Sequence, residues 1–224
     1  MHLNWQKTRS FCIMNFSGRE SMKKNILLVN CYRERAEEKI QGYHEWLQAG
    51  AAASGLELAV RDSNDREPLP GSGEFAAVIV SGSQKMVSAG EVEPELREFL
   101  KNFRRPLLGI CYGHQALAHS FGALVARDVQ QHLGDEDVFT NRTDPLFADF
   151  PPVFKMAESH EEIVVRDNEL EKEFMVLAES RQGLVEAIRH RERPLYGVQF
   201  HPEKSGMLGI RLLENFFQIV RNQE

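Results

Sequence analysis

Cys111 lies in Gly109-Ile110-Cys111-Tyr112-Gly113, between the apolar run Pro106-Leu107-Leu108 and the segment His114-Gln115-Ala116-Leu117-Ala118-His119. The pattern is a G-x-C-x-G turn from strand to helix, the thiol form of the nucleophile elbow G-x-S-x-G. Two glycines let the backbone turn sharply where a Cβ would resist. The central side chain is pushed out of the turn at the start of a helix. Backbone N–H groups and the positive end of the helix dipole there favour a reactive thiolate. Such a nucleophile needs a base, and the base needs an orienting group. Phe200-His201-Pro202-Glu203 supplies both at the end of an apolar strand. Residues two apart in extended chain point the same way, so Glu203 can stand behind the His201 imidazole and hold its tautomer, as the aspartate does in a serine triad. Pro202 fixes φ between them. Taken singly, a buried cysteine or a strand-end histidine is usually structural; the combination is far more specific. Zinc ligation by Cys111, His114 and His201 is the competing chemistry. No Cys-x-x-Cys or paired-histidine spacing supports it, so neither a metal nor a cofactor is expected.

The elements that must position these groups read as alternating strands and helices. Ile26–Val29 is a continuous apolar run, the signature of a buried parallel strand. Residues 35–53 read as a helix, with Ile40, Tyr43, Trp46 and Leu47 at helical spacing and Gly55 as its C-terminal cap. Leu56–Val60 alternates and reads as a second strand. Asn64 to Gly73 is a loop rich in Pro, Gly and charge. Phe75–Val80 is a third strand, ending in Ser81-Gly82-Ser83. Pro94 to Phe103 reads as a helix with proline in its first turn. The Leu107–Ile110 strand, the elbow and a helix ending near Gly122 follow. The second half is richer in strands, at residues 153–156, 174–178, 185–188 and 196–200, and Leu208 to Val220 closes as an amphipathic helix. The expected fold class is α/β: a doubly wound, mostly parallel sheet with helices on both faces and a strand-rich second half. Ligands of such sheets sit at the carboxyl ends of the strands, where Ser81-Gly82-Ser83 and Cys111 both fall.

Bulk composition narrows the function classes. The chain has 224 residues, 42% of them apolar, enough to fold without a disulfide or a metal. Its net charge of −6 is unlike the basic footprint of a nucleic-acid binder. No run has the length of a transmembrane helix, so no membrane partner is expected. Three cysteines, Cys12, Cys31 and Cys111, suit a reducing cytoplasm and free thiols. Residues 1–21 differ from the rest, with His2, Lys7, Arg9 and Arg19 against one acid, Glu20. They read as a disordered extension or as an upstream start codon wrongly assigned; an organellar targeting peptide is the alternative. Residues 22–224 read as a single domain.

The two motifs resemble those of class I glutamine amidotransferases. Gly109-Ile-Cys-Tyr-Gly-His-Gln115 is similar to that family's nucleophile motif, and Tyr196-Gly-Val-Gln-Phe-His-Pro-Glu203 to its histidine–glutamate motif. The resemblance runs from about Lys24 to the C-terminus. It implies that Cys111 attacks the side-chain amide of glutamine to form a γ-glutamyl thioester, that His201 protonates the leaving ammonia and then activates water, and that Glu203 orients His201. It implies an oxyanion hole built on the backbone N–H of Tyr112 and on the loop after the third strand. The family carries Ser-Gly-Gly-Pro in that loop, where this chain has Ser81-Gly82-Ser83-Gln84. Gly82 and Ser83 are the implied contributors, and a Cβ at position 83 turns less easily toward an oxyanion. Gln115 is implied to hold the substrate, and the backbone of Ser159 and His160 to bind its α-amino and α-carboxyl groups. Glu161 and Glu162, which follow, read equally as solvated surface. His114 and His119 read as packing or surface residues.

Within the family, Thr143-Asp-Pro-Leu-Phe147, Val176-Leu-Ala-Glu-Ser180, Glu186-Ala-Ile-Arg-His190 and Pro194-Leu-Tyr-Gly197 are most similar to the glutaminase domain of GMP synthase. Pro202-Glu-Lys-Ser205 and the Gly209–Phe216 segment lean toward the imidazole glycerol phosphate synthase subunit. No P-loop-like glycine motif appears, so the resemblance implies a separate synthase subunit that receives ammonia in trans. A stand-alone γ-glutamyl hydrolase or peptidase using the same triad is the alternative. A non-catalytic binding protein of the same fold is disfavoured by the intact triad.

Overall fold

A computed structural model describes residues 25–51, 56–63, 69–71 and 73–223. The expectations for residues 1–21, Cys12 and the Gly55 cap lie outside them. The described elements run β1 (Asn25–Asn30), α1 (Ala36–Ala51), β2 (Glu57–Asp62), β3 (Ala77–Val80), α2 (Pro94–Asn102), β4 (Leu107–Ile110), α3 (Tyr112–Ser120), β5 (Val125–Thr140), β6 (Val153–Val164), α4 (Asn168–Glu173), β7 (Phe174–Ser180), β8 (Val185–His190), β9 (Leu195–Val198) and α5 (Gly206–Arg221).

The nine described strands join one sheet in the order β2-β1-β3-β4-β9-β8-β7-β5-β6. From β2 to β9 every pair is parallel; from β9 to β6 every pair is antiparallel. The short apolar strands β1, β3 and β4 are covered on both faces, which explains why they read as unbroken hydrophobic runs. Ile26, Leu28, Ile79 and Leu108 pack with Tyr43 and Trp46 of α1 and Leu212 and Phe216 of α5. Leu27, Val29, Val78 and Val80 face the other way, onto Leu96 and Leu100 of α2 and Ala116 and Leu117 of α3. Alternate residues of one strand thus feed two cores, each buried Leu or Ile contributing about 1.5–3 kcal/mol of transfer free energy. The doubly wound half with helices on both faces is as the sequence predicts.

The strand-rich half holds a difference. Residues 125–140 carry no strand pattern in sequence, yet they form β5, the inner arm of a long hairpin with β6 that breaks register between Arg127 and His132. Most of β5 is exposed, including Val129 and Leu133, so half-polar sequence is tolerated there. Strand β6 is also longer than the 153–156 run. Its even-numbered residues from Phe154 to Val164 are buried and the odd-numbered ones are not, the period of two that a one-sided strand requires. Glu158, His160 and Glu162 fall on that buried row. The sheet curls far enough for side chains of β6 and β8 to meet, although β5 and β7 lie between them in the ladder.

Candidate active site

The elbow follows directly from β4. Cys111 takes φ 51° and ψ −104°, a left-handed conformation that costs a non-glycine residue about 1–3 kcal/mol and persists only where its surroundings enforce it. The enforcement comes from backbone contact. A Cβ on Gly109 would lie 2.5 Å from the Gly113 carbonyl carbon and oxygen, and one on Gly113 would overlap the Val80 carbonyl. The two glycines therefore let main chains of β3, β4 and α3 touch. The unusual dihedral itself is carried by Cys111, not by the glycines. Cys111 N–H donates to Val198 O at 2.9 Å, so β9 also holds the turn. Tyr112 opens α3, where a first-turn N–H has no intrahelical acceptor.

Strand β9 leads into the histidine. His201 Nδ1 lies 2.7 Å from Glu203 Oε1, with both side chains nearly fully buried. The pair sits in a short 3-10 turn, Pro202–Lys204. Ser205 Oγ donates to His201 O at 2.7 Å and accepts from Ala157 N–H at 3.0 Å, and His201 N–H donates to Ala157 O at 2.8 Å. Helix α5 presses on this turn at Gly209, where any Cβ would overlap the Pro202 carbonyl. Burial alone would lower the His201 pKa. Cys111 and Glu203 outweigh it, and the imidazole is pushed up to about 10. Its Nε2 makes no well-formed hydrogen bond to any described residue, yet the ring lies close enough to Cys111 for the sulfur to be the largest influence that raises it. The other described cysteine, Cys31, is sealed in the core, where burial pushes its thiol up to about 12.

The loop after β3 is fixed by its own side chains. Ser83 Oγ donates to Cys31 O at 2.7 Å and accepts from Lys85 N–H at 3.1 Å, which gives a serine a reason to stand at this position. Lys85, buried, pairs with Glu93 at 2.7 Å. Gly82 N–H donates to Tyr43 Oη at 2.9 Å, and the backbone N–H of Ser83 has no partner among the described residues. A Cβ on Gly82 would come within 2.7 Å of Tyr32 Oη and 3.1 Å of His201 Cε1, so only glycine leaves room for the imidazole. Tyr32 and Tyr43 were not visible as site residues in the sequence. Burial, with Glu203 and Cys111 close by, pushes both phenols up, so both stay protonated.

The substrate-side residues are divided. The Ser159 carbonyl lies 3.9 Å from Cys111 Sγ. Gln115 Nε2 donates to Glu162 O at 2.9 Å and to Gln199 Oε1 at 3.1 Å. The His160 ring turns away into the buried row of β6 and stacks on His132 at 4.6 Å. Glu161 pairs with Arg127 on the surface, whereas Glu162 is buried and accepts N–H groups of Val87 and Ser88 at 2.7 and 2.8 Å. Glu162 thus ties β6 to the loop after β3. The alternation of β6 is the signal that separates these two acids. His114 is buried beneath the elbow, and burial pushes it down to about 3, which keeps it neutral. A groove of about 500 Å³, lined by Leu69, Pro70, Pro94, Phe99 and Phe103 among others, opens beside α2 and contains none of these residues. No helix among the described residues is long and apolar enough to cross a membrane.

Comparison with known proteins matches this geometry to a family. The sequence model of "Glutamine amidotransferase class-I" matches residues 38–220. The glutamine-hydrolyzing subunit of a two-chain GMP synthase from Ignicoccus hospitalis is 32% identical over 180 residues, covering 80% of this chain and 93% of that protein. A glutamine-hydrolyzing GMP synthase from Thermosipho africanus is 36% identical over 150 residues, 66% of this chain; the match spans only 28% of that longer protein. Among solved structures, a glutamine amidotransferase from Thermotoga maritima superposes with a TM-score of 0.66 at 20% identity, covering 89% of this chain and 84% of that one. At that identity the likeness speaks for the fold.

Proposed function

The chain belongs to the class I glutamine amidotransferase family, and we propose that it hydrolyses the side-chain amide of glutamine and passes the ammonia to a separate synthase subunit of the GMP synthase type. The observation that carries this reading is the strained Cys111 at its elbow with the His201–Glu203 pair already assembled at 2.7 Å beside it. The cysteine sulfur attacks the amide carbon, and the carbonyl oxygen becomes an oxyanion. The unpartnered N–H groups of Tyr112 and Ser83 are its proposed donors; Gly82 spends its N–H on Tyr43. Such donors are worth about 10²–10³ in rate each. His201 delivers a proton to the leaving nitrogen, the C–N bond breaks, and ammonia departs from a γ-glutamyl thioester. His201 then takes a proton from water, which attacks the thioester carbon; glutamate leaves and the thiol is restored. Glu203 holds the imidazole in register through both halves. Gln115 and the backbone of Ser159 and His160 form the proposed cradle for the rest of the substrate.

Residues 22–224 acting as one glutaminase domain, the cytoplasm as its compartment and purine nucleotide synthesis as its setting belong to the same proposal. The Ser83 tether favours a second reading. A loop anchored to Cys31 does not need a partner to shape it, which suits a stand-alone γ-glutamyl hydrolase. One experiment separates them: glutamate and ammonia release from glutamine and from other γ-glutamyl amides, with and without the ammonia-accepting subunit of a GMP synthase. Stimulation by that subunit with glutamine as preferred substrate supports the first reading. Partner-independent turnover of γ-glutamyl peptides supports the second, and activity that survives Cys111→Ala refutes the shared mechanism.

A further inference from the structure

A second concentration of chemistry lies behind the site. Glu158 and His160 project from β6 and Glu186 from β8, and one ligand atom from each lies within 4.8 Å of the others. All three residues are buried, to 4, 6 and 2% exposure. The group therefore closes the curl of the sheet across its inside, between strands that are not neighbours in the ladder.

The hydrogen-bond chemistry of this cluster is unbalanced. His160 Nδ1 is 2.9 Å from the carbonyl oxygen of Glu162. A carbonyl only accepts, so Nδ1 carries the hydrogen and Nε2 presents a lone pair. That Nε2 stands 3.2 Å from Glu158 Oε2 but is not aligned for a hydrogen bond. Glu158 Oε1 and Oε2, Glu186 Oε2 and His160 Nε2 all lack a hydrogen-bond partner among the described residues. Acceptors converging in a dry site are costly unless a positive charge joins them. A histidine whose far N–H is held by a backbone carbonyl has the tautomer and the support that metal-ligating histidines show. One imidazole and two carboxylates form a donor set suited to first-row divalent ions. Both Glu158 oxygens are free to bind, which makes four donor atoms. His132, stacked on His160, is turned to its own carboxylates, Asp128 at 2.7 Å and Glu136 at 3.3 Å.

We propose that Glu158, His160 and Glu186 bind a divalent transition-metal ion of the Zn²⁺ type, which pins β6 to β8. The role is structural. Ser159, between two of the ligands, presents its carbonyl to Cys111, so the ion braces from behind the strand that faces the nucleophile.

The test uses the full chain carrying Cys111→Ala, which removes the triad thiol as a competing ligand. It is grown with Zn²⁺, purified without chelator and assayed for metal by mass spectrometry, then stripped and refilled with Zn²⁺ or Co²⁺. The expected result is about one equivalent per chain, the stoichiometry of a single structural site, with a rise in Tm on refilling. Glu186→Gln and Glu158→Gln should lose both. Because those variants may not fold, the Co²⁺ form of the Cys111→Ala chain and of the unmodified chain gives a second readout: visible bands of nitrogen and oxygen ligation without a sulfur-to-cobalt charge-transfer band. A chain that binds no ion and melts unchanged with Zn²⁺ overturns the proposal and leaves a proton shared between Glu158 and Glu186 as the explanation. Metal lost on Cys111→Ala, or a sulfur-to-cobalt band, also overturns it by placing the ion at the triad.

Discussion

Replacing Glu203 by glutamine isolates what the buried carboxylate does for the histidine. The substitution keeps the shape of a side chain that is almost wholly buried and removes its charge. The Nδ1–Oε1 bond at 2.7 Å is a hydrogen bond to a charged group, worth about 1.5–3 kcal/mol. At about 1.4 kcal/mol per factor of ten, losing the charge alone predicts a fall in kcat/KM of about 10- to 150-fold. A second effect adds to it. An amide –NH₂ can donate to Nδ1, which moves the imidazole proton to Nε2 and points it at Cys111; in the serine triad the wrong tautomer costs about 10⁴. The expected loss is therefore between about 10²- and 10⁴-fold. The assay is glutamate formation from glutamine at saturating partner, paired with alkylation of Cys111 by iodoacetamide across pH. The alkylation profile should move with the substitution, because Cys111 and Glu203 are the two influences that raise His201. A folded Glu203→Gln protein that loses less than tenfold in activity, with an unchanged alkylation profile, would refute the orienting role.

Further outcomes follow from the same contacts. Cys111→Gly should be more stable to urea than Cys111→Ala by about 1 kcal/mol, because glycine relieves the φ of 51° that alanine retains; equal midpoints would remove the strain argument. Gly113→Ala should cost about 3 kcal/mol and lower Tm by about 10 °C, because its Cβ meets the Val80 carbonyl rather than a yielding side chain. Stability should fall as pH rises from 6.5 toward 10. The folded His201 pKa is raised from 6.5 to about 10, so its proton stabilises fully below 6.5 and that contribution is lost as pH passes through the folded value. Cys111→Ala removes the largest raising influence, so its melting temperature should depend less on pH over that window; identical profiles would contradict the coupling.

The triad was legible because each half is local. A glycine-flanked cysteine between strand and helix, and a histidine two residues from a glutamate, carry their geometry in their spacing. The apolar strands β1, β3 and β4 were legible because burial on both faces leaves an unbroken hydrophobic run. Strand β5 was not, since one hairpin arm lies in solvent and its polar residues do not betray the pairing. Tyr43 read as a helix-face apolar residue. Its second task, holding the Gly82 N–H across the sheet, exists only once α1 has docked. Glu158 and Glu186 lie in separate strands, and no spacing could announce that the curl brings them together. The elbow glycines were assigned the right residue type for an incomplete reason: their need is for contact between main chains, and the dihedral strain falls on Cys111 itself.

Those main-chain contacts also decide how the protein can change. The reactive sulfur is located by backbone atoms of β3, β4 and α3 in contact and by a peptide hydrogen bond to β9, with almost no reliance on which apolar side chains fill the two cores. Volume-conserving swaps among those side chains usually cost under about 1.5 kcal/mol. Drift in the cores is then recorded in melting temperature long before it reaches turnover, so sequences can diverge widely around an elbow that tolerates almost no substitution at four positions: Gly109, Cys111, Gly113 and Gly82.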